Sequence, residues 1–200
     1  MTPITFAIPG FSLDSFSSEG RMVRSCLADT ARVVGRMSMN PGTVVFHVGD
    51  AFNPQNSDTR NAKVLERLLD CLITLDGIWL AKRPLTPGLY DSGVQYNRTL
   101  VWDTTPALYA RQMGDCKSLA SARVAELRRA GVWCRPVFRH KDRSDGNFRM
   151  YHILIMFQDG TWECPSARLG MHDFQEDPRF DRESRLERIP HVAGRFGCWR

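Results

Sequence analysis

An α+β fold is what this 200-residue sequence predicts, and three observations carry the prediction. A long amphipathic pattern covers 59–82, a second helix runs from Cys116 to Arg129, and two apolar, β-branched stretches joined by a turn follow it. Helices come first and an antiparallel sheet comes last, rather than strands and helices alternating. A chain of this length fits one domain, or one with an added subdomain. It can bury about 70% of the surface its unfolded form exposes, so its stability requires neither a disulfide nor a metal.

Each element has a local reason. Residues 1–17 are rich in Pro, Ser and Phe with no clear period, and read as an extended arm. Over 19–37, Met22, Val23, Cys26, Leu27, Val33, Val34 and Met37 supply apolar positions and arginines the opposite face, which predicts a helix broken by Asn40-Pro41-Gly42. The β-branched and aromatic run at 43–48 reads as a strand. A loop follows, in which Ser57 or Asp58 could cap the next helix. In that helix Val64, Leu65, Leu68, Leu69, Leu72, Ile73, Leu75, Ile78 and Trp79 share one broad face, and Pro84 with Pro87-Gly88 ends it.

Residues 89–106 read as a long surface segment, and 106–111 as a short helix. The Cys116 helix stops at Gly131, a residue suited to the left-handed conformation that closes helices. Strands are expected at 132–138 and 148–157, with a turn over 140–147 between them. Gln158-Asp159-Gly160 then makes a hairpin turn into a short return strand at 161–164. Beyond Pro165 the chain is charged and aperiodic. These segments divide the chain into an N-terminal helical region (1–87), a core (88–171) and an irregular C-terminal arm (172–200).

Composition narrows the function classes. Hydrophobic residues make up 42% and charged residues 24%, as in water-soluble globular domains. The net charge of +5 comes from arginines spread along the chain, with no recognised nucleic-acid motif and no pattern of stacking aromatics, so a solvated basic face is expected rather than a nucleic-acid site. The longest strongly apolar run, 153–157, is far too short to span a bilayer, and no membrane partner is expected. The first eleven residues lack the basic start and long apolar stretch of a signal peptide, so synthesis in a cytoplasm with reduced thiols is expected. Cys26, Cys71, Cys116, Cys134, Cys164 and Cys198 are widely spaced and form no CxxC pair. Cys116, Cys134, His152 and Cys164 are suitable ligand types for zinc. The usual close ligand pairs are missing, however, so neither a metal nor another cofactor is expected. Cys26, Cys71, Cys134 and Cys198 read as small packing residues.

Chemistry concentrates at Gly114-Asp115-Cys116. A free thiol is only a few per cent ionised at neutral pH, but at a helix start the unpaired N–H groups favour its anion and can also hold an oxyanion. Gly114 leaves space in front of the sulfur. His152 lies mid-strand with Met150, Leu154 and Met156 on its own face and Tyr151, Ile153, Ile155 and Phe157 on the other. Neither face is polar, so His152 is expected at least half buried, either as a base for Cys116 or as a core imidazole bonded to backbone. Gln112, four residues before the cysteine, and Asp115 are candidates for supporting an oxyanion.

The stretches 114–138 and 151–171 together resemble the core of the transglutaminase-like cysteine protease superfamily. Its members carry a Gly-x-Cys opening a helix, a His on the next long strand, and an Asp just beyond a Trp on the following one. The resemblance is closest to versions encoded by tailed bacteriophages and prophages, where Leu89-Tyr90-Asp91-Ser92-Gly93-Val94-Gln95-Tyr96 matches an element leading into the cysteine motif and 165–171 matches the segment closing the core. It implies a papain/transglutaminase-like fold, with the cysteine helix packed on an antiparallel sheet. It further implies Cys116 as nucleophile and His152 as base. The third position departs: Trp162-Glu163-Cys164-Pro165 places Cys164 where the family has Asp. A neutral thiol cannot stabilise an imidazolium as a carboxylate does. Glu163 points to the opposite face of its strand, and nothing specific favours Asp159 or Asp173.

Two functions follow from the resemblance. One is a virion-associated structural or interaction protein with a degenerate Cys-His-Cys constellation, made in the host cytoplasm. It would contact other phage structural proteins, at the tail or head-tail connector, in several copies of a symmetric assembly. The alternative is an active phage cysteine hydrolase or acyl transferase that works through a thioester at Cys116. The thiol at the acid position and the aperiodic ends at 1–17 and 172–200 favour the first.

Overall fold

Ile4, Phe6 and Ile8 alternate with less buried neighbours, and this period of two makes the start of the chain a strand rather than an arm. The computed structural model describes residues 2–48, 58–142 and 149–171. Strand β1 (Thr2–Ala7) lies inside a four-stranded sheet of order β2-β3-β1-β5. It pairs antiparallel with β3 (Thr43–Val48) and, at Phe6 and Ala7 only, parallel with β5 (Trp102–Asp103). Pro3, which cannot donate to a ladder, sits where β5 has not yet begun. Phe6 meets Phe46 edge-on at 5.1 Å and stacks on Trp102 at 5.4 Å.

Helix α1 (Ser18–Val34) starts at Ser17, whose hydroxyl accepts the Gly20 N–H. It stops three residues short of the expected Met37. Gly35 takes a positive φ of 137° that turns the chain into the mostly exposed strand β2 (Gly35–Asn40), paired along its length with β3. Helix α2 (Asp58–Ala81) matches the amphipathic pattern and packs between α1 and the cysteine helix. The region 1–87 is therefore a sheet with two helices, not purely helical. The loop expected at 49–57 with Ser57 as cap, much of the turn expected at 140–147, and the arm 172–200 with Asp173 and Cys198 lie outside the described residues.

After α3 (Thr105–Arg111) and a two-stranded parallel pair, β4 (Gln95–Tyr96) with β6 (Met113–Gly114), comes helix α4 (Cys116–Arg129). It ends as expected: Gly131 is left-handed (φ 77°), and the Val132 N–H reaches back to the Leu127 carbonyl at 2.9 Å. A three-stranded antiparallel sheet follows, of order β7-β8-β9 (Cys134–Asp142, Arg149–Phe157, Trp162–Glu163), closed by the single turn α5 (Pro165–Arg168). Ala120 and Val124 of α4 share a core with Phe138, Ile153 and Ile155. Among the described residues no helix is long and apolar enough to cross a membrane.

The segment 89–106 runs over the surface through much of 91–100, as expected, but it is not exposed throughout. Leu89 and Val94 are buried, and so is every residue from Trp102 to Thr105. Its polar groups are held from three sides. Thr104 donates through its backbone N–H (3.1 Å) and its hydroxyl (2.7 Å) to the Ala7 carbonyl, Ser118 accepts the Asp103 N–H at 2.9 Å, and Asp76 accepts the Thr105 N–H at 2.6 Å. Asp76 lies on α2, fully buried, and also accepts from the Ser121 hydroxyl of α4 at 2.5 Å. Burial pushes its carboxyl up to about 7 despite these donors.

Because its folded pKa lies above the ordinary 3.8, Asp76 contributes stability below pH 4 that is lost as pH rises to 7, about 4 kcal/mol in all. Asp76→Asn abolishes that loss. Urea unfolding should therefore show the variant gaining on wild type between pH 4 and pH 8. Asp76→Ala should cost roughly 2–4 kcal/mol below pH 4, since the Thr105 N–H and Ser121 hydroxyl both lose their acceptor, and less as pH rises toward 7, because the variant also escapes the ionisation of the buried carboxyl.

Candidate functional site

Asp115 is the N-cap of α4, its carbonyl accepting the Leu119 N–H at 2.9 Å, so Cys116 is the first helical residue as expected. The packing of α4 on β8 sets the thiol against the edge of that strand. β9 pairs β8 only at Ile155 and Met156, and the stretch before them is left for the cysteine. The S–H lies 4.0 Å from the Tyr151 carbonyl oxygen, and the Ile153 N–H points at the sulfur. The thiol is thus held by backbone groups on either side of His152.

This enclosure reverses the expected ionisation. Although the residue keeps some exposed surface, desolvation of the thiol pushes Cys116 up to about 12, and the neighbouring Asp115 carboxylate adds to the rise. Lys117 and the Ile153 N–H pull the other way and lose. The helix start is therefore not sufficient to make a thiolate here.

His152 is 3% exposed, in line with its position between apolar neighbours. Desolvation, with the Arg139 guanidinium second, brings it down to about 4, so the imidazole is neutral at pH 7. Its Nε2 lies 3.2 Å from Cys164 Sγ. Cys164 also accepts the Ala167 N–H at 3.3 Å, which makes it the N-cap of α5. Burial pushes this thiol up as well, so it stays protonated. Cys164 therefore reaches the imidazole, but without a charge.

Neither proposed support takes its expected place. Gln112 is exposed at the left-handed end of α3 (φ 56°), and its Nε2 donates to the Tyr109 carbonyl at 2.7 Å rather than to an oxyanion site. Asp115 is tied to Lys117 in a close ion pair, and Lys117 also donates to the Thr99 carbonyl at 2.7 Å. A carboxylate there opposes negative charge at Cys116 rather than supporting it. The absent side chain of Gly114 leaves no approach for a substrate: a Cβ at this position would lie 2.3 Å from Leu108 Cδ1, and Leu108 is fully buried.

Other carboxylates surround the site without entering it. Glu163 faces away from Cys164, as strand alternation requires, and binds the Tyr90 hydroxyl and Arg123 Nε (2.8 Å). Arg123 and Arg168 lie over the Tyr90 ring at 4.8 and 3.9 Å, locking 89–91 to α4 and α5. Asp159 is exposed and caps its own turn at Thr161. Asp103 is buried, with Arg111 3.5 Å from its Oδ1 and neither oxygen hydrogen-bonded, and burial pushes it up. Neither Asp76 nor Asp103 is apparent from the sequence, where one interrupts an apolar helix face and the other reads as surface. Among the described residues no three His, Cys, Asp or Glu side chains are placed to share a metal ion, and Cys134, buried at the start of β7, does not join the other zinc candidates.

No protein-family description, curated protein or solved structure matches this chain. The site must be judged on its own chemistry, which is a neutral imidazole in contact with the Cys164 thiol, and a protonated Cys116 thiol set against the backbone on either side of that histidine.

Gly114→Ala should cost about 1–3 kcal/mol by forcing Leu108 from its site. Combining it with Leu108→Val should cost less than the sum of the two single changes. Thermal unfolding of all four proteins measures that coupling.

Proposed function

We propose that this chain is a non-catalytic structural or interaction protein of a tailed-phage particle, built on a transglutaminase-like core whose nucleophile no longer ionises. The resemblance of 88–171 to phage-encoded members of that superfamily supports the setting. So does the order of the parts, with a helix opened by cysteine, a long strand bearing histidine, and a short strand bearing tryptophan just before the acid position. In the particle the chain would sit in several copies at the tail or head-tail connector, against other structural proteins.

The observation that carries the non-catalytic reading is the pair of opposed shifts at Cys116 and His152. Moving a proton from a thiol near 12 to an imidazole near 4 costs on the order of 10 kcal/mol before their mutual attraction is counted. A family member with Asp at the third position offsets part of that cost, because the carboxylate stabilises the imidazolium. Cys164 cannot, being neutral itself.

Alkylation of Cys116 by iodoacetamide, followed peptide by peptide over pH 5–9 in wild type and His152→Ala, tests this reading. Negligible labelling of the folded protein, indifferent to His152, is expected. Fast labelling below pH 7 that disappears in the variant would restore the enzyme reading, a cysteine hydrolase or acyl transferase working through a Cys116 thioester. Particles released from a host carrying the sequence should contain the chain at a fixed copy number, and its absence from them would remove the structural role.

Cys164→Asp should raise the His152 pKa from about 4 by about 1–3 pH units, by placing a carboxylate on Nε2. Imidazole proton shifts followed by NMR titration report it.

A further inference from the structure

Cys26 and Cys71 read from the sequence as isolated packing residues, and the crossing of α1 with α2 brings them together. Their sulfurs are 3.5 Å apart, and the Cys26 sulfur also lies 3.7 Å from the Cys71 carbonyl oxygen. The two sites differ in access. Cys71 is 2% exposed, whereas Cys26 is only partly buried at the edge of the core.

Arg67 favours an anion at either sulfur, and Thr30 one at Cys71, but the balance differs between the two thiols. The Cys71 S–H, the Arg67 guanidinium and Thr74 all favour a thiolate at Cys26. They outweigh burial and the Asp29 carboxylate, so Cys26 lies below its ordinary value while Cys71 is raised. The buried Nε of Arg67 has no hydrogen-bond partner among the described residues. Arg67 lies one helical turn before Cys71 on α2, and a buried guanidinium N–H without an acceptor is costly unless an anion forms near it.

We infer that Cys26 and Cys71 form a peroxide-oxidisable dithiol, with Cys26 as the attacking thiol and Cys71 as the resolving one. The Cys26 thiolate attacks the hydroxyl oxygen of a hydroperoxide, the O–O bond breaks, and Cys26 becomes a sulfenic acid as the other oxygen leaves as hydroxide or alkoxide, which takes from solvent the proton Cys26 gave up on ionising and ends as water or an alcohol. Cys71 then attacks the Cys26 sulfur, the S–O bond breaks, and the departing hydroxide takes the Cys71 proton as water. The two sulfurs lose two electrons in total and the peroxide gains them. Closing the bond requires the sulfurs to approach by about 1.5 Å, to the ordinary S–S length of about 2.05 Å. Side-chain rotation on two packed helices supplies this more readily than backbone movement. The bond would fasten α1 to α2 across the β2–β3 hairpin.

The test is hydrogen peroxide at a few-fold molar excess over the full-length protein, then blocking of free thiols, tryptic digestion without reductant, and mass spectrometry. The expected product joins peptide 25–32 to peptide 68–82 with loss of two hydrogens, about 2 Da, and a reductant reverses it. Cys71→Ala should leave Cys26 as a sulfenic acid that dimedone traps, while Cys26→Ala should leave Cys71 unmodified. Cys116, read in the same digest, should stay a thiol. Three results would overturn the inference: no joined peptide from the folded wild type, Cys26 passing directly to sulfinic acid, or other cysteine pairs joined in equal yield. The wild-type measurement stands even where a variant fails to fold.

Discussion

Four consecutive residues, Trp102 to Thr105, are buried, and the positions of the other elements depend on how the backbone N–H groups of 103–105 are satisfied. The segment passes between the N-terminal sheet and the helices. Ala7, Ser118 and Asp76 supply its partners from β1, α4 and α2. Because Ser121 of α4 shares Asp76 with the start of α3, three helices meet at one carboxylate. Moving α4 would strand at least two buried groups at once. This fixes the start of α4, and therefore the Cys116 thiol, against the edge of β8.

Burial on that scale has an electrostatic consequence along the first half of α4. The desolvation that raises Asp76 toward neutrality also raises Cys116 and lowers His152. The pH dependences of Asp76 and His152 oppose each other. A histidine depressed from 6.5 to about 4 holds stability above pH 6.5 and gives it up as pH falls to 4, whereas Asp76 gives it up as pH rises from 4 to 7. Between those limits the two contributions largely cancel. A broad, flat stability plateau in mild acid would then reflect two strong, opposite perturbations rather than the absence of any.

The parts of the fold that could be read from sequence were those with a long single period. The nine apolar positions of α2, the glycine stop of α4 and the apolar run of β8 each repeat a pattern over many residues, and the structure follows them. Strand β1 was missed because its alternation lasts only from Ile4 to Ile8 and Pro3 obscures its start. Segment 102–105 was missed for a different reason. Asp103, Thr104 and Thr105 look like loop residues, and their burial depends on acceptors and donors up to 97 positions away, which no local pattern reveals. At the site, the spacing of Cys116, His152 and Cys164 located the residues. Their ionisation depends on enclosure, and local helix chemistry alone pointed the wrong way for Cys116.

Cys164 shows why a thiol can occupy an acid position without disturbing the fold. A residue there has two tasks that need no charge: to cap α5 by accepting the Ala167 N–H, and to meet Nε2 so that His152 keeps its orientation. A sulfur at 3.2–3.3 Å from both groups performs them. The third task, stabilising an imidazolium, needs a carboxylate, and that carboxylate would itself have to be desolvated beside a 3% exposed ring. Without an imidazolium at His152 to balance it, such a charge would only destabilise the fold. A neutral thiol next to a neutral histidine and a neutral cysteine is the lower-energy arrangement for a site this enclosed. In these surroundings Cys164 serves the fold by capping α5 and orienting His152, and neither task requires a charge.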